Sequence, residues 1–570
     1  MSYARQVEAL IRHLSIVPFL DRLESAAPVG VDQEIWAAII EQAARFAEGV
    51  IDPLDATLDR VGARVENGRV VCAPGHRDAW TRFAADGWLT LALPETSGGQ
   101  GLPLALTTAC EEIFNRASCA FTMLATPNRT AAAMLTGAAD PATRAAWVPR
   151  LASGEWTATI CISEPDAGSD VARVRTRATR GDDGAWRVTG EKCWISYGDH
   201  DLAERIGHCM IARSSTAAGV RGLSLFLVPD RRDDGAPNGV TVRRIEEKLG
   251  LHGSPTCVLG FEEAQAILIG EEGRGLQTLF HMMLLMRLAC APQGVGVAEA
   301  ALATALDYAQ ERRQGGDPSA PPVPIVAHAD VQRQLLRMGG RVEVARGVAL
   351  AAAAVMDLGE RAPETERAGW LALAQFLLPI AKDLSARLAF GVASGSLQVL
   401  GGAGYTREWP VERRLRDARV FAVFEGTTGI QAIDMVHRRL WRDRGEGLRL
   451  FLSAARADLA DDACSAVLSA VLDRLEEVAR VIDGWQHDVR DADAGATAFL
   501  DLCGLAVGGW IALRLVRFAG SDEIGRRLAA AAGFYLAELP ALAEAEARLA
   551  TLGATRLDGF ADYLGSAPRT

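Results

Sequence analysis

The sequence predicts an α+β protein of several domains, in the order helices, β domain, helices, helices. Three observations carry that reading. At 570 residues the chain can bury more than one sizeable core. Its apolar spacing shifts from a three-and-four period to short β-branched runs at Trp156, and back to the helical period around Glu271. The last stretch, 441–570, is Ala- and Leu-rich with a helical period of its own. The expected domains are therefore 1–155, 156–275, 276–440 and 441–570.

Residues 1–155 read as helices. "DQEIWAAIIEQAARFAEGVI" from Asp32 keeps apolar positions three and four apart behind an acidic first turn, and "LTTACEEIFNRAS" and "DPATRAAWVPRLASG" continue the pattern. From Trp156 come "WTATICIS", "ARVRTRATR", "AWRVTGEKCWIS", "GHCMIAR", "LSLFLV", "VTVRRI" and "TCVLGF", separated by turn-rich stretches such as "RGDDGA" and "PDRRDDGAPNG". Short strands at this spacing predict an antiparallel sheet or barrel. "EEGRGLQTLFHMML" returns the chain to helix up to about Trp441, interrupted by the Pro-rich "GGDPSAPPVPIV". Beyond it, 14 Arg and no Lys face 20 acidic residues, a net charge of −6.

Composition narrows the function classes. A net charge of −12 gives no general attraction to nucleic acid or anionic membrane. Ten cysteines lie scattered without any CxxC pair, which fits reduced thiols in a cytoplasmic protein. Glu8 and Arg12 interrupt the N-terminal apolar stretch, so it does not read as a secretory signal. The longest uninterrupted apolar runs, such as "VALAAAAVM", fall short of the ~20 residues a membrane span needs. The nine histidines form no HExxH and no Cys/His cluster; His200 and His208 read as loop and strand residues, with no metal site expected.

Several stretches have the chemistry of a site. "FEGTTGIQ" places the single carboxylate Glu425 between an aromatic ring and a glycine turn, and desolvating a charge without a partner or task is costly. Those eight residues alone also fit a helix-start acid near a positive dipole end. "CISEPDAGSD" leaves a strand for a tight turn whose N–H groups and hydroxyls face a polar ring or anion, or make a plain β-turn. Trp194 in "EKCWIS" is a cofactor contact or a core indole. "QVLGGAGY" is glycine-dense, so its backbone can approach a diphosphate, but it lacks the GxGxxG spacing. Arg312 and Arg313 either pair with phosphate or cap a helix end.

Taken in order, "ISEPDAGSD", "EKCWIS", "EKLGLHGSPT", "GEEGRG", "YAQERRQGG", "QVLGGAGYTREWPVERRLRDARV" and "FEGTTGIQ" resemble the acyl-CoA dehydrogenase flavoproteins over roughly residues 30–440. "KLGLHGSPTCV", "PQGVGVAEAAL" and the helical region after 440 look most like the branch typified by 3-methylthiopropanoyl-CoA dehydrogenase. The resemblance implies an N-terminal helical domain, a central antiparallel β domain and a C-terminal four-helix bundle, here with an extra helical region. It implies FAD as cofactor, an acyl-CoA substrate, an electron-transfer flavoprotein as acceptor, and a homodimer or homotetramer.

Carried over by position, the resemblance implies that Ile162, Ser163, Gly168 and Ser169 hold the flavin, with Ser169 also near the acyl-CoA. Trp194, Ile195 and Ser196 stack on the isoalloxazine, and Arg312 and Gln314 meet the cofactor diphosphate and ribose. Gln398, Val399, Leu400, Gly401 and Gly402 run along the ADP half from a neighbouring subunit, and Thr427 and Gly429 also touch the cofactor. Arg287 and Gly426 contact the substrate, and Glu425 is the catalytic base. The sequence departs from the family in two places: Phe424 stands where Tyr is usual, and Leu284 where Asp or Asn is expected.

That reading gives Glu425 its task. A thioester α-proton is weakly acidic, so the base must have a raised proton affinity, which burial beside Phe424 and the flavin would supply. The enolate oxygen would meet the Glu425 N–H and a ribityl hydroxyl, and the β-hydride would pass to flavin N5. The rival readings are an oxygen-using acyl-CoA oxidase of the same fold, a DNA-associated relative, and a non-catalytic scaffold. The acidic region 441–570 argues against the second, and the intact base and cofactor motifs against the third.

Overall fold

The computed structural model describes residues 3–26 and 33–565. Met1, Ser2, residues 27–32 with the expected helix start at Asp32, and residues 566–570 lie outside the described residues. The chain forms two compact units, Gln42–Ala289 and, from both ends of the sequence, Met1–Glu41 with Cys290–Thr570.

In the Gln42–Ala289 unit the expected helices form, including Asp52–Val61, His76–Ala85, Leu104–Ala138 and Pro141–Ala152. The last begins at Asp140, whose carboxylate accepts from the N–H groups of Ala142 and Thr143 at 2.9 and 3.1 Å. The all-helical expectation for 1–155 fails at one place. Strands β1 (Arg64–Glu66) and β2 (Arg69–Val71) make a hairpin around Asn67-Gly68, both at positive φ (51° and 77°). Asn-Gly is the residue pair that a tight two-residue hairpin turn favours.

Seven strands follow: β3 (Trp156–Cys161), β4 (Arg177–Arg180), β5 (Trp186–Ser196), β6 (Arg205–Arg213), β7 (Leu223–Pro229), β8 (Val240–Ile245) and β9 (Thr256–Ile269). Their order is β3-β6-β4-β5-β9-β7, with β8 on β9, and β6 also pairs β7 so that the sheet closes on itself. The expected antiparallel sheet is in fact mixed. β3 runs parallel to β6 from Trp156↔Arg205 to Cys161↔Met210, and β4 meets β6 in parallel at Arg177↔Arg213. Residues far apart in sequence make these pairs, so local alternation carries no signal for them. Val188, Met210, Phe226 and Phe261 fill one core of the unit. Leu135, Trp147, Leu151, Ile211 and Leu227 belong to a second core, in which helices cover the sheet.

In the other unit the helices Ala329–Arg361, Glu364–Leu400 and Val411–Ala418 share a core with the C-terminal part of Gly275–Glu311, through Val295, Leu302, Met338, Val392 and Val411. The extra region supplies Glu446–Ala457, Ala463–Asp483, Val489–Phe518 and Glu523–Ala550. Two of these, Val489–Phe518 and Glu523–Ala550, reach the length and apolarity of a membrane span, with mean hydropathy 1.7 and 1.2. The sequence expectation considered uninterrupted apolar runs only and missed both. In the first helix, 78% of the apolar window is buried within the protein, as in a core helix. Its Trp510 is 2% exposed and donates Nε1–H to Asp458 at 2.7 Å.

Candidate active site

The singled-out residues fall into two groups, one in each compact unit. In the sheet unit, Ile162 and Ser163 leave β3 half-buried, and reciprocal 3.0 Å hydrogen bonds between Glu164 and Ala167 close the turn. Gly168 and Ser169 lie exposed beyond it, and a methyl group on Gly168 would meet no atom within 4 Å. The two motifs "ISEPDAGSD" and "EKCWIS" are stapled together. Fully buried Lys192 donates to Glu164 Oε1 at 2.7 Å and to Ile162 O at 2.9 Å, and the Cys193 N–H donates to Ser163 O at 3.0 Å. The second oxygen of Glu164 accepts from Arg175 N at 2.7 Å.

The electrostatics of this pair follow from burial and attraction acting in opposite senses. Burial pushes the Glu164 carboxyl up, but Lys192 and the donated hydrogen bonds prevail and hold it below the usual carboxylate range. On the more deeply buried Lys192, desolvation outweighs Glu164 and draws the ammonium below the usual lysine range. The 2.7 Å contact and the satisfied oxygens favour the ionised pair at neutral pH.

Trp194 sits where the β5–β9 register slips, between Lys192 and Ile195. It has φ +63°, and its indole is 64% exposed. An L-residue persists in that conformation only where its surroundings over-determine it, and a bulge re-aims a side chain. The structure thus resolves the indole into an exposed flat face, not a core residue. Ile195 points into the sheet core at 3% exposure, leaving only its backbone for contact, while Ser196 is half-buried. Beyond them Tyr197 anchors the segment by donating to Ala120 O at 2.7 Å. Arg287, on the helix Gly275–Glu311, is half-buried with Nε lacking a hydrogen-bond partner, and Leu284 is half-buried one turn earlier. His200 and His208 are spent on the fold: they hydrogen-bond Thr157 and Thr159 of β3 at 2.9 and 2.8 Å, and burial lowers both rings to about 3.

In the helical unit, Glu425 is half-buried at φ +52° and Gly426 follows at φ +89°. Side chains grip the carbonyls of both residues. Buried Gln431 donates Nε2–H to Glu425 O at 3.1 Å, and buried Lys382 donates to Gly426 O at 2.6 Å. In a trans peptide the N–H points opposite the C=O, so fixing these carbonyls turns the Gly426 and Thr427 N–H groups to the other side. Thr427 caps the helix Thr428–Ile433 by accepting from Ile430 N at 3.3 Å, and Gly429 is exposed in its first turn. Thr428 donates to Asp383 Oδ1 at 2.6 Å. Phe424 stacks on Phe421 with centroids 5.7 Å apart.

The remaining candidates of this unit differ in what they offer. Gln398 is exposed, but Val399 and Leu400 are buried in the helix core, so only their backbone is free for a ligand. Gly401 ends the helix at φ +60°, and methyl groups on Gly401 or Gly402 would meet nothing within 4 Å. Arg312 and Gln314 are exposed on a segment whose backbone is pinned by Ile325 N donating to Arg312 O (2.8 Å) and Gln314 N to Val323 O (2.9 Å). Sequence reasoning missed Lys192, Glu164, Lys382, Asp383 and Gln431, which hold the segments it did find.

Models of the acyl-CoA dehydrogenase N-terminal, middle and C-terminal domains match residues 34–155, 159–264 and 273–440. A 3-methylmercaptopropionyl-CoA dehydrogenase of Ruegeria pomeroyi is 38% identical over 544 residues, 92% of this chain and 91% of its own. Among solved structures, Caenorhabditis elegans ACDH-11 in complex with C11-CoA superposes with TM-score 0.77 at 18% identity, covering 98% of this chain and 94% of that one. A Bacillus anthracis acyl-CoA dehydrogenase complexed with FAD gives 0.76 at 20% identity, covering 95% and 93%. These two likenesses are of fold, and their coverage takes in the helices after residue 440.

Proposed function

The chain belongs to the acyl-CoA dehydrogenase family, and from that premise we propose that Glu425 is the base of a FAD-dependent α,β-dehydrogenation of an acyl-CoA to its trans-2-enoyl-CoA. The carrying observation is the Glu425–Gly426 turn, whose carbonyls are gripped by Gln431 and Lys382 while a carboxylate stands in a left-handed conformation. Such a turn presents a base and a close-approaching glycine backbone together, which is what removing a proton next to a thioester carbonyl requires.

The residues present fit the cofactor. Trp194 offers an exposed aromatic face, and Ser163, Gly168, Ser169 and Ser196 offer hydroxyls and open backbone beside it. In this reading, which the family likeness supports, Ile162, Ile195, Thr427 and Gly429 are further cofactor contacts. In the reading, Arg312 and Gln314 hold the diphosphate half, and the backbone of Gln398–Gly402 covers the ADP half of a neighbouring subunit's cofactor. When bound, FAD supplies the acceptor for the hydride leaving the substrate β-carbon. Glu425 takes the α-proton onto its carboxylate, Gly426 lets the thioester lie against the main chain, and Arg287 and Ser169 hold the CoA ester in place.

The substrate we favour is 3-methylthiopropanoyl-CoA or another short- or medium-chain acyl-CoA, on the strength of the 38% identity with the Ruegeria relative. The reading includes a homo-oligomer, an electron-transfer flavoprotein as acceptor and a cytoplasmic location. The last is supported by ten unbridged thiols, nine of them buried. The test is anaerobic mixing of the yellow holoenzyme with a panel of acyl-CoAs, 3-methylthiopropanoyl-CoA among them. Bleaching of the flavin with formation of the enoyl-CoA is expected. A flavin unchanged by every acyl-CoA would refute the reading, and peroxide formed in step with product in air would move the acceptor to oxygen.

A further inference from the structure

We infer that the helical region after residue 440 positions the catalytic turn, through the side-chain chain Asp501–Arg387–Asp383–Thr428 and the neighbouring Lys382. The inference rests on Glu425 being the base. Asp383 is 1% exposed, and a carboxylate so buried persists only with partners. It has two: Thr428 Oγ1 donates at 2.6 Å and Arg387 Nε at 2.8 Å. Arg387 forks, and its Nη1 donates to Asp501 Oδ2 at 3.1 Å. Asp501 belongs to Val489–Phe518, a helix of the extra region that packs against Thr428–Ile433.

Adjacent residues of the helix Glu364–Leu400 thus hold the turn at two points. Lys382 fixes the Gly426 carbonyl, and Asp383 fixes the Thr428 hydroxyl. The guanidinium is a planar fork, so the carboxylate at one end sets the orientation of the other end. Arg387 and Asp501 are partly solvated (41% and 19% exposed side chains), and such pairs contribute little to stability. The contribution of Asp501 is therefore directional: it aims Arg387, which aims Asp383, which sets Thr428 and the turn that carries Glu425. Lys382, Asp383, Arg387 and Asp501 are positioning residues in this scheme and touch no reacting atom.

The experiment compares Lys382→Met, Thr428→Val, Asp501→Asn and the Thr428→Val/Asp501→Asn double variant as FAD-loaded protein. The readouts are FAD content, affinity for a non-reducible acyl-CoA analogue, the single-turnover rate of flavin reduction, and its α-deuterium isotope effect. A displaced base slows proton abstraction, and misplacement on the scale of 1 Å costs about 100-fold. We expect Lys382→Met to lose up to about 100-fold, Thr428→Val about 10-fold and Asp501→Asn about 3-fold, each with a raised isotope effect. Analogue affinity and FAD content should stay within about twofold, and the double variant should lose less than the product of the singles, because both act on one chain. Wild-type rates and isotope effects in Thr428→Val and Asp501→Asn would overturn the inference even if Lys382→Met fails to fold. So would losses that only track FAD content. Glu425→Gln, run alongside, separates the two readings. If it still bleaches, the base assignment falls; if it alone is inactive while the positioning variants are not, only the present inference falls.

Discussion

Lys192 and Lys382 are both fully buried, yet they are put to different uses. Lys192, in the sheet unit, meets the Glu164 carboxylate and the Ile162 carbonyl, fastening two segments of chain beneath an exposed indole. Lys382, in the helical unit, donates to the carbonyl of Gly426, one residue from Glu425. The first presents a surface, and an ion pair suffices because what matters is that two segments stay together. The second fixes the rotation of a peptide plane. The two lysines therefore fail differently when lost: one lets segments come loose, the other releases an angle.

The largest effect is expected from Glu425→Gln. Gln fills the same space but accepts no proton, so flavin reduction should fall ~10²–10⁴-fold while FAD content and the thermal midpoint stay near wild type. Stopped-flow bleaching checks it. Next comes Lys192→Met, which strands a buried Glu164 and should lower stability by about 3–5 kcal/mol, read by denaturant unfolding of the holoenzyme. If the fold tolerates it with no loss, the pair is not the staple described here. Gly426→Ala tests the angle directly. Its methyl group would lie 2.7 Å from Gln431 Nε2, at a φ of +89° that an L-residue resists, so turnover should drop about tenfold with unchanged flavin content.

A pH series addresses the same comparison with a smaller effect. Glu164 has a folded pKa below its ordinary value, so its stabilising contribution is present above the ordinary carboxylate pKa of about 4.3 and is lost as pH falls through the lower, folded value. The wild-type thermal midpoint should therefore fall more steeply than that of Glu164→Gln as pH drops from the ordinary carboxylate pKa through the lower, folded one. The smallest effect belongs to Trp194→Ala. An exposed indole contributes little to the fold, so stability should shift by about 0.5 kcal/mol or less, whereas flavin fluorescence and FAD affinity should change.

Much of this was legible in the sequence, and unevenly. The strand runs from Trp156 to Phe261 showed in their β-branched residues, and Glu425 showed as a carboxylate set in an aromatic and glycine turn. The parallel β3–β6 pairing was not legible, because nothing local records which distant strand a strand adopts. The Asn67-Gly68 pair is a hairpin signal that the all-helical expectation for 1–155 passed over. Lys382 and Asp383 are the instructive case. "LLPIAKDLSARLAF" places three charges, Lys382, Asp383 and Arg387, inside an apolar helical run, the same signal that marked Glu425. What the sequence withholds is the partner: only the fold shows that Lys382 and Asp383 reach the turn some 40 residues on, at Gly426 and Thr428.

The packing of the thiols carries a consequence for survival in air. Nine of the ten cysteines are buried, and burial pushes those of Cys110, Cys161 and Cys257 up to about 12. A reduced flavin that leaks electrons to oxygen generates peroxide on the protein itself, and peroxide attacks thiolates that it can reach. Here nine of the ten thiols are out of reach, and Cys464 is the half-exposed exception. Oxidative ageing of this protein should therefore begin at one sulfur, in the helix Ala463–Asp483, and leave the thiols of the sheet untouched.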